Sequence, residues 1–135
     1  MPIIKSRILL NYLNELINLN LPADQYAVFG SGPMAVRGLR LNGDIDLIVK
    51  PPLWDSLSRT YPAKGSKTLF CGHLEIFRDW RPWFENTSQL IDEADVINKI
   101  RYVKLDSVLE WKKAMNRQKD KEDIRLIENY FTELK

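Results

Sequence analysis

The stretch YAVFGSGPMAVRGLRLNGDIDLIVK, residues 26–50, decides the fold that the sequence predicts. It begins with a short buried strand, Tyr26 to Phe29, and a glycine-serine turn follows. Pro33 then opens a helix that extends to Gly38 or shortly beyond, because proline suits the first helical position. Asp44 to Lys50 forms the next strand, and its uninterrupted apolar run is typical of a strand covered on both faces. This order of elements favours a sheet with helices packed against it.

Further elements extend this pattern on both sides. Apolar residues at helical spacing predict an amphipathic helix over residues 6–19, which ends before Pro22. The elements predicted downstream are a helix over 53–60, strands over 67–70 and 74–77 with a turn between them, a helix over 88–94, a strand over 100–105, a helix capped by Asp106 or Ser107 that runs to 116, and a helix over 120–134. The predicted fold is therefore α/β (α+β), with one small mixed sheet flanked by helices in a single domain over residues 1–135.

Composition narrows the classes of protein to consider. Hydrophobic residues make up 44% of the 135 residues, too many for a disordered chain. The net charge of +2 is too small to indicate nucleic-acid binding by itself. Cys71 is the only cysteine, which excludes an intrachain disulfide and favours a reducing compartment. Neither a signal peptide nor an apolar run of roughly 20 residues is present, so we expect a cytoplasmic protein without a membrane partner.

Two carboxylates open the strongest predicted strand. Side chains alternate across a strand, so Asp44 and Asp46 share one face while Ile45 points away. Two such carboxylates repel each other, and a bound Mg²⁺ or Mn²⁺ ion would relieve the repulsion. The alternative is a solvated strand entrance that follows the turn Asn42-Gly43.

The turn Gly30-Ser31-Gly32 is the second candidate element. Free backbone N–H groups at a helix start attract phosphate, and glycine allows the ligand to approach closely. The Ser31 hydroxyl adds a hydrogen-bond donor for a phosphate oxygen. The alternative is a simple turn in which Ser31 or Gly32 caps the helix.

Taken together, these motifs carry a family resemblance. Phe29-Gly30-Ser31 followed by Asp44-Ile45-Asp46 resembles the signature of the DNA polymerase β-type nucleotidyltransferase superfamily. The segment 111–124, WKKAMNRQKDKEDI, is similar to a helical segment of its minimal bacterial members, the abortive-infection (AbiEii-like) group. Asn116 and Gln118 depart from the glycine and proline often found there.

The resemblance implies a nucleotidyltransferase-like fold and a metal-dependent enzyme. Such an enzyme moves a nucleoside monophosphate from an NTP to an acceptor and releases pyrophosphate. In the superfamily the acceptor is a tRNA end, a protein side chain or a small antibiotic. The small chain further suggests that a partner protein or a homodimer completes the acceptor site, and a toxin of a toxin–antitoxin pair is one biological role for it.

The resemblance also implies a third carboxylate on a neighbouring strand. Glu75 is the best position, because it points away from Leu74 and Ile76 and can face a cleft while they face the core. Glu75 would then complete a metal site with Asp44 and Asp46 and assist in deprotonating the acceptor hydroxyl. Asp79 is the alternative.

Several charged residues are candidates for substrate contacts. The resemblance assigns Lys112, Arg117 and Lys119 to the triphosphate, although helical lysines are usually solvated. Asp120 and Asp123 either take part in the chemistry or interact favourably with the helix dipole.

Two further stretches have competing interpretations. Arg37 and Arg40 would share a helix face near the glycine-serine turn, where they either bind phosphate or are solvated. The stretch RDWRPWF, residues 78–84, either stacks on a base or packs into the core, and the second interpretation is favoured. His73, the only histidine, is more often structural than a metal ligand in such a turn.

The rival to an enzyme is a non-catalytic module of the same fold that binds a nucleotide or a protein. A module without chemistry would have no need of Asp44, Asp46 and Glu75 together. The sequence therefore favours the enzyme.

Overall fold

Helices and strands are mixed along the chain because segments with helical spacing of apolar residues are interspersed with short apolar runs that form strands. A computed structural model describes residues 7–41, 44–61, 63–64, 68–80, 83–84 and 86–134. The helices in these ranges are α1 (Arg7–Asn18), α2 (Gly32–Ala35), α3 (Pro51–Ser58), α4 (Thr87–Asp92), α5 (Leu105–Met115) and α6 (Gln118–Glu133). The strands are β1 (Tyr26–Phe29), β2 (Ile45–Val49), β3 (Ala63–Lys64), β4 (Thr68–Cys71), β5 (Leu74–Phe77), β6 (Asp95–Ile97) and β7 (Ile100–Tyr102).

The described strands join into one sheet in the order β3-β4-β5-β2-β1-β7-β6. Two neighbouring pairs, β2 with β5 and β1 with β7, run parallel, and the other pairs are antiparallel. The prediction of a mixed sheet flanked by helices is therefore confirmed. The parallel pair β2–β5 lies at the centre of the sheet, where it positions the candidate site.

Alternation along the central strands divides the apolar residues between two cores. Ile45, Leu47 and Val49 face a core that α1 and α3 complete on one side of the sheet. Ile48 and Phe29 face a second core, to which α4, α5 and α6 contribute. Helices thus cover both faces, as the apolar run of β2 predicted.

The observed elements differ from the predicted ones mainly at their ends. The proline pair after β2 occupies the first turn of α3, so this helix begins two residues earlier than predicted. The helix α2 ends at Ala35 instead of near Gly38, which has φ +76°. The edge strands β3 and β6 were not predicted, since two or three residues are too few to show a period.

Among the described residues, no helix combines the length and the apolar character needed to cross a membrane.

Candidate functional site

The register of β2 against β5 brings two carboxylates together. Asp46 lies directly beside Glu75 in the parallel ladder, and both residues point to the face of the second core. Their apolar neighbours Ile45 and Leu74 are fully buried on the other face. The predicted placement of Glu75 beside the Asp-x-Asp motif is therefore confirmed. Glu75 and Asp46 are called the carboxylate pair below.

Asp44 lies just outside the strand. The prediction began β2 at Asp44, but the strand begins at Ile45, and Asp44 occupies an exposed bend. Its charge is still close enough to act on Asp46. The turn Asn42-Gly43, which the alternative interpretation invoked, lies outside the described residues.

The environment of Asp46 penalises its negative charge. Burial, with smaller contributions from the charges of Glu75 and Asp44, raises the pKa of the Asp46 carboxyl from 3.8 to about 7. Carboxylates that repel one another in a partly dry site titrate well above their ordinary range unless a cation compensates them. The described surroundings of Asp46 therefore disfavour its charged form, which a bound cation would stabilise.

Gly30 approaches this carboxylate closely. It follows β1 with φ +63°, a conformation that glycine adopts without strain. A Cβ atom at position 30 would collide with Oδ2 of Asp46. Ser31 then takes the N-cap position of α2, where its side chain makes no capping hydrogen bond. Ser31 therefore occupies the cap position, as the alternative interpretation predicted. Its hydroxyl does not cap the helix and is available for other contacts.

The chemistry of these carboxylates fits a divalent cation. Mg²⁺ typically takes one or two protein carboxylates and completes its shell with water and phosphate oxygens. In the described part of the chain, no three His, Cys, Asp or Glu side chains form a ready-made metal cluster. The carboxylate pair therefore fits an ion that a triphosphate helps to bind, with Asp44 at its edge.

A second charged cluster lies where α5 and α6 meet. The Lys112 ammonium is 4% exposed and lies 2.9 Å from Oδ2 of Asp123 and 3.6 Å from Oδ1 of Asp120. Arg40 donates to Asp123 at 2.7 Å, and Arg117 donates to Asp120 at 2.7 Å and 2.9 Å. We call these five residues the ionic cluster. The alternative in which Lys112 is an ordinary solvated lysine is wrong, and its contact with a triphosphate stays a prediction.

Within this cluster the charges compensate one another. Burial alone would raise the pKa of Asp120, but hydrogen bonds from Arg117 and the charges of Arg117 and Lys112 lower it below its ordinary value. Asp120 also accepts from the backbone N–H of Arg117 at 3.1 Å, so it caps α6, as one of its two interpretations predicted.

Asp46 and the ionic cluster line one cleft, whereas Glu75, the other member of the carboxylate pair, is not among its lining residues. The volume of the cleft is about 510 Å³, and it contains Gly30, Ser31 and Asp46 together with the whole ionic cluster and the exposed Lys119. Arg37 is not among the lining residues, because α2 ends before it and its guanidinium donates to Asp95 at 3.0 Å and to the Pro33 carbonyl at 2.8 Å. Arg37 and Arg40 were expected to share a helix face if the helix extended that far, and this condition is not met, although Arg40 reaches the cleft.

The remaining candidates lie elsewhere. Asp79 follows β5 and lines two neighbouring hollows, whereas Glu75 lies inside the strand. His73 stacks on Tyr12 with ring centroids 4.2 Å apart, and its Nδ1 lies 2.8 Å from Glu15, so it ties the turn between β4 and β5 to α1.

The aromatic stretch 78–84 divides between its two interpretations. Trp80 stacks on Phe29 at 4.6 Å and lies edge-on to Trp111 at 5.3 Å, so it packs into the second core, as favoured. Trp83, in contrast, is 40% exposed. Arg81 and Pro82 lie outside the described residues.

Comparison with known proteins gives no family for this chain, since no family model, no curated protein and no solved structure matches it. The geometry of the site therefore carries the functional argument. Sequence reasoning identified the carboxylates and the glycine-serine turn but missed the contribution of Arg40 to the ionic cluster. The only signal for that contribution is the excess of opposite charges near Lys112, and Arg40 lies 83 residues from its partner Asp123.

Proposed function

We propose that this chain is a metal-dependent nucleotidyltransferase that moves a nucleoside monophosphate from an NTP to an acceptor hydroxyl. The observation that carries the proposal is the pair of carboxylates Asp46 and Glu75, which lie side by side on β2 and β5 where Gly30 leaves room for no side chain beside Asp46. A site of this kind gains a divalent cation and the phosphates that accompany it.

Residues in and beside the cleft would have separate roles in binding the NTP and its metal ion. Asp46 and Glu75 would hold Mg²⁺ or Mn²⁺, with Asp44 beside them, and the ion would link the protein to the triphosphate and offset its charge. Gly30 and Ser31 would face the phosphate oxygens that lead to the leaving pyrophosphate. Arg117 and Lys119 would supply positive charge from α6 and its N-cap, while the buried Lys112 would hold the α5–α6 junction that aims them.

The reaction is an in-line displacement at the α-phosphorus. The acceptor oxygen forms a bond to phosphorus as the bond to the pyrophosphate oxygen breaks, and the pyrophosphate leaves with the electron pair. The hydroxyl proton passes to a carboxylate of the carboxylate pair, with Glu75 the nearer candidate on the side away from Gly30.

A transfer screen tests the proposal. Purified protein is incubated with Mg²⁺, each α-labelled NTP, and total cell RNA and total cell protein as separate acceptors. We expect label in one acceptor class, and a loss of roughly 100-fold or more with Asp46→Asn or Glu75→Gln. Asp92→Asn, which removes an exposed carboxylate outside the cleft, is the matched control.

Two outcomes would contradict the proposal. The first is no transfer to any acceptor while NTP binds equally well with Mg²⁺ and with chelator. The second is transfer that Asp46→Asn leaves at the wild-type rate. The first outcome would favour a non-catalytic module that binds nucleotide.

A further inference from the structure

An aromatic hollow next to the cleft has no role in the reaction described above. Phe77, Trp80, Trp83, Trp111 and Met115 line most of its surface, and its volume is about 310 Å³. Small-molecule sites commonly measure about 300–1,000 Å³. The hollow is thus large enough for one planar ring system with part of a sugar, but too small for a whole nucleotide with three phosphates.

The hollow adjoins the cleft. Trp80 and Trp111 line both spaces. Phe77 follows Glu75 by two residues on the same face of β5, which places it about 7 Å further along the strand.

The geometry of the reaction determines what the hollow can receive. In an in-line displacement, the attacking and leaving oxygens lie on opposite sides of the phosphorus. Because β1 and β5 flank β2 on opposite sides, the proposed reaction would place the pyrophosphate on the side of Gly30 and the acceptor on the side of Glu75. The nucleoside must therefore leave this axis at an angle, and Phe77 lies along the strand, off that axis.

The walls of the hollow suit a nucleobase. Trp80 is held by Phe29 at 4.6 Å, Phe77 at 4.8 Å and Trp111 at 5.3 Å, so its ring has a defined position. Trp83 donates its backbone N–H to the Trp80 carbonyl at 3.0 Å, and its own indole is 40% exposed. An exposed indole at the rim of an aromatic hollow offers a stacking face, and stacking on aromatic side chains accepts every base.

We infer that the aromatic hollow is the nucleobase site of the NTP and that Trp83 makes the enzyme prefer purine nucleotides. The inference rests on the proposed binding of an NTP in the cleft. A purine presents a larger π face than a pyrimidine and covers more of the apolar wall. Trp83 is a specificity-determining residue in this arrangement, and it does not take part in the chemical step.

Calorimetry in Mg²⁺ with ATP, GTP, CTP, UTP and inorganic tripolyphosphate tests the inference. We expect the purine nucleotides to bind more tightly than the pyrimidine nucleotides. Trp83→Ala should weaken ATP and GTP about 5- to 100-fold and leave tripolyphosphate unchanged, because only the base contacts the indole. Trp83→Phe should retain most of the affinity. Val96→Ala, at an exposed apolar residue on β6, is the matched control.

Fluorescence adds a readout that a purely structural role would not change. ATP should quench the tryptophan emission of the wild type, and Trp83→Phe should lose most of the quenching while still binding ATP. Melting curves establish that the variants are folded.

The outcomes separate this inference from the proposed function. Equal loss of ATP and tripolyphosphate in Trp83→Ala, or unchanged binding of all nucleotides, overturns the nucleobase site. The absence of NTP binding to the wild type overturns it as well. The expected binding pattern without transfer to any acceptor overturns the proposed function and leaves the nucleobase site standing. Transfer with a base preference that Trp83→Ala does not alter overturns the nucleobase site and leaves the proposed function standing.

Discussion

The candidate site has two ends, and buried carboxylates have shifted pKa values of opposite direction at the two ends. At the carboxylate pair, burial and like charges raise the pKa of Asp46 to about 7. In the ionic cluster, Asp120 and Asp123 are more deeply buried, yet cations surround them and the pKa of Asp120 is lowered. Described cations pair with the carboxylates of the second end, whereas the charged form of Asp46 is disfavoured at the first end. A disfavoured carboxylate is a candidate for binding a cation, and the paired carboxylates of the second end have a structural role.

This difference gives the two ends opposite responses to pH. Between about pH 4 and 7, the Asp46 carboxyl is protonated in the folded state but ionised in the unfolded chain, where its pKa is near 3.9. The contribution of Asp46 to stability therefore falls as pH rises from about 4 to 7. Asp120 has a lowered pKa in the folded state. Its contribution is therefore present above the unfolded pKa and is lost as pH falls through the folded pKa.

Breaking the ionic cluster should give the largest loss of stability. Lys112→Met leaves two buried carboxylates short of a cation, and we expect the free energy of unfolding to fall by about 3–5 kcal/mol. Urea denaturation at pH 7.5 measures it. The matched control is Lys113→Met, which breaks an exposed pair with Glu128 and should cost less than about 1 kcal/mol. Equal effects of the two variants would mean that the cluster does not stabilise the fold.

Neutralising Asp46 of the carboxylate pair should increase the stability of the fold. In chelator at pH 8, Asp46→Asn removes a charge that the folded protein disfavours, and it should raise the free energy of unfolding by about 2–3 kcal/mol. This value follows from about 1.4 kcal/mol per pKa unit, and it is reduced because water reaches part of the site. The gain should disappear near pH 4, where the wild type is protonated as well. Denaturation curves across this range measure the difference.

Asp92→Asn makes the same charge change at an exposed residue and should alter stability by less than about 1 kcal/mol. A destabilised Asp46→Asn protein at pH 8 would show that Asp46 accepts structural hydrogen bonds and that its charge is compensated.

Substitutions at two glycines separate the cost of backbone strain from the cost of displacing the Asp46 carboxylate. Gly38→Ala tests only a positive φ, since no atom of the described residues lies within 4 Å of the added methyl group, and it should cost about 1 kcal/mol. Gly30→Ala has the same backbone cost and also displaces the Asp46 carboxylate, so it should cost about 2 kcal/mol or more. Thermal unfolding measures both variants, and only Gly30→Ala should abolish transfer. Equal stability losses with transfer retained would show that the close approach of Gly30 to Asp46 has no function.

The smallest expected effect is stabilisation by the metal. Mg²⁺ at ten times its dissociation constant should raise the free energy of unfolding by about 1.4 kcal/mol. The gain should be greater at pH 8 than at pH 6, because the ion competes with the proton on Asp46. Differential scanning calorimetry with Mg²⁺ and with chelator measures it. An equal gain in Asp46→Asn would place the ion elsewhere.

The central sheet and its carboxylates could be predicted because each rests on a local pattern. Alternation fixed the face of Asp46 and Glu75, and the two strands became neighbours as expected. The ionic cluster could not be predicted in full. Lys112 and Asp123 occur in a helical sequence rich in charge, where solvation is the default, and their burial follows from the packing of α5 on α6. Arg40 joins them only through the tertiary fold. Asp44 illustrates a smaller error, because a strand boundary one residue later moves it into a bend.

The position of the cleft in chain order has a consequence for synthesis on the ribosome. Asp46 and Gly30 belong to β2 and the end of β1, but one wall of the cleft comes from α5 and α6, which follow all the described strands. The parallel pairing of β1 with β7 adds a long-range contact that also forms late. A nascent chain therefore presents Asp46 before the cleft around it is complete. The cleft gains its wall from α5 and α6 only after α6 has left the exit tunnel and docked, so the proposed nucleotide site would form last.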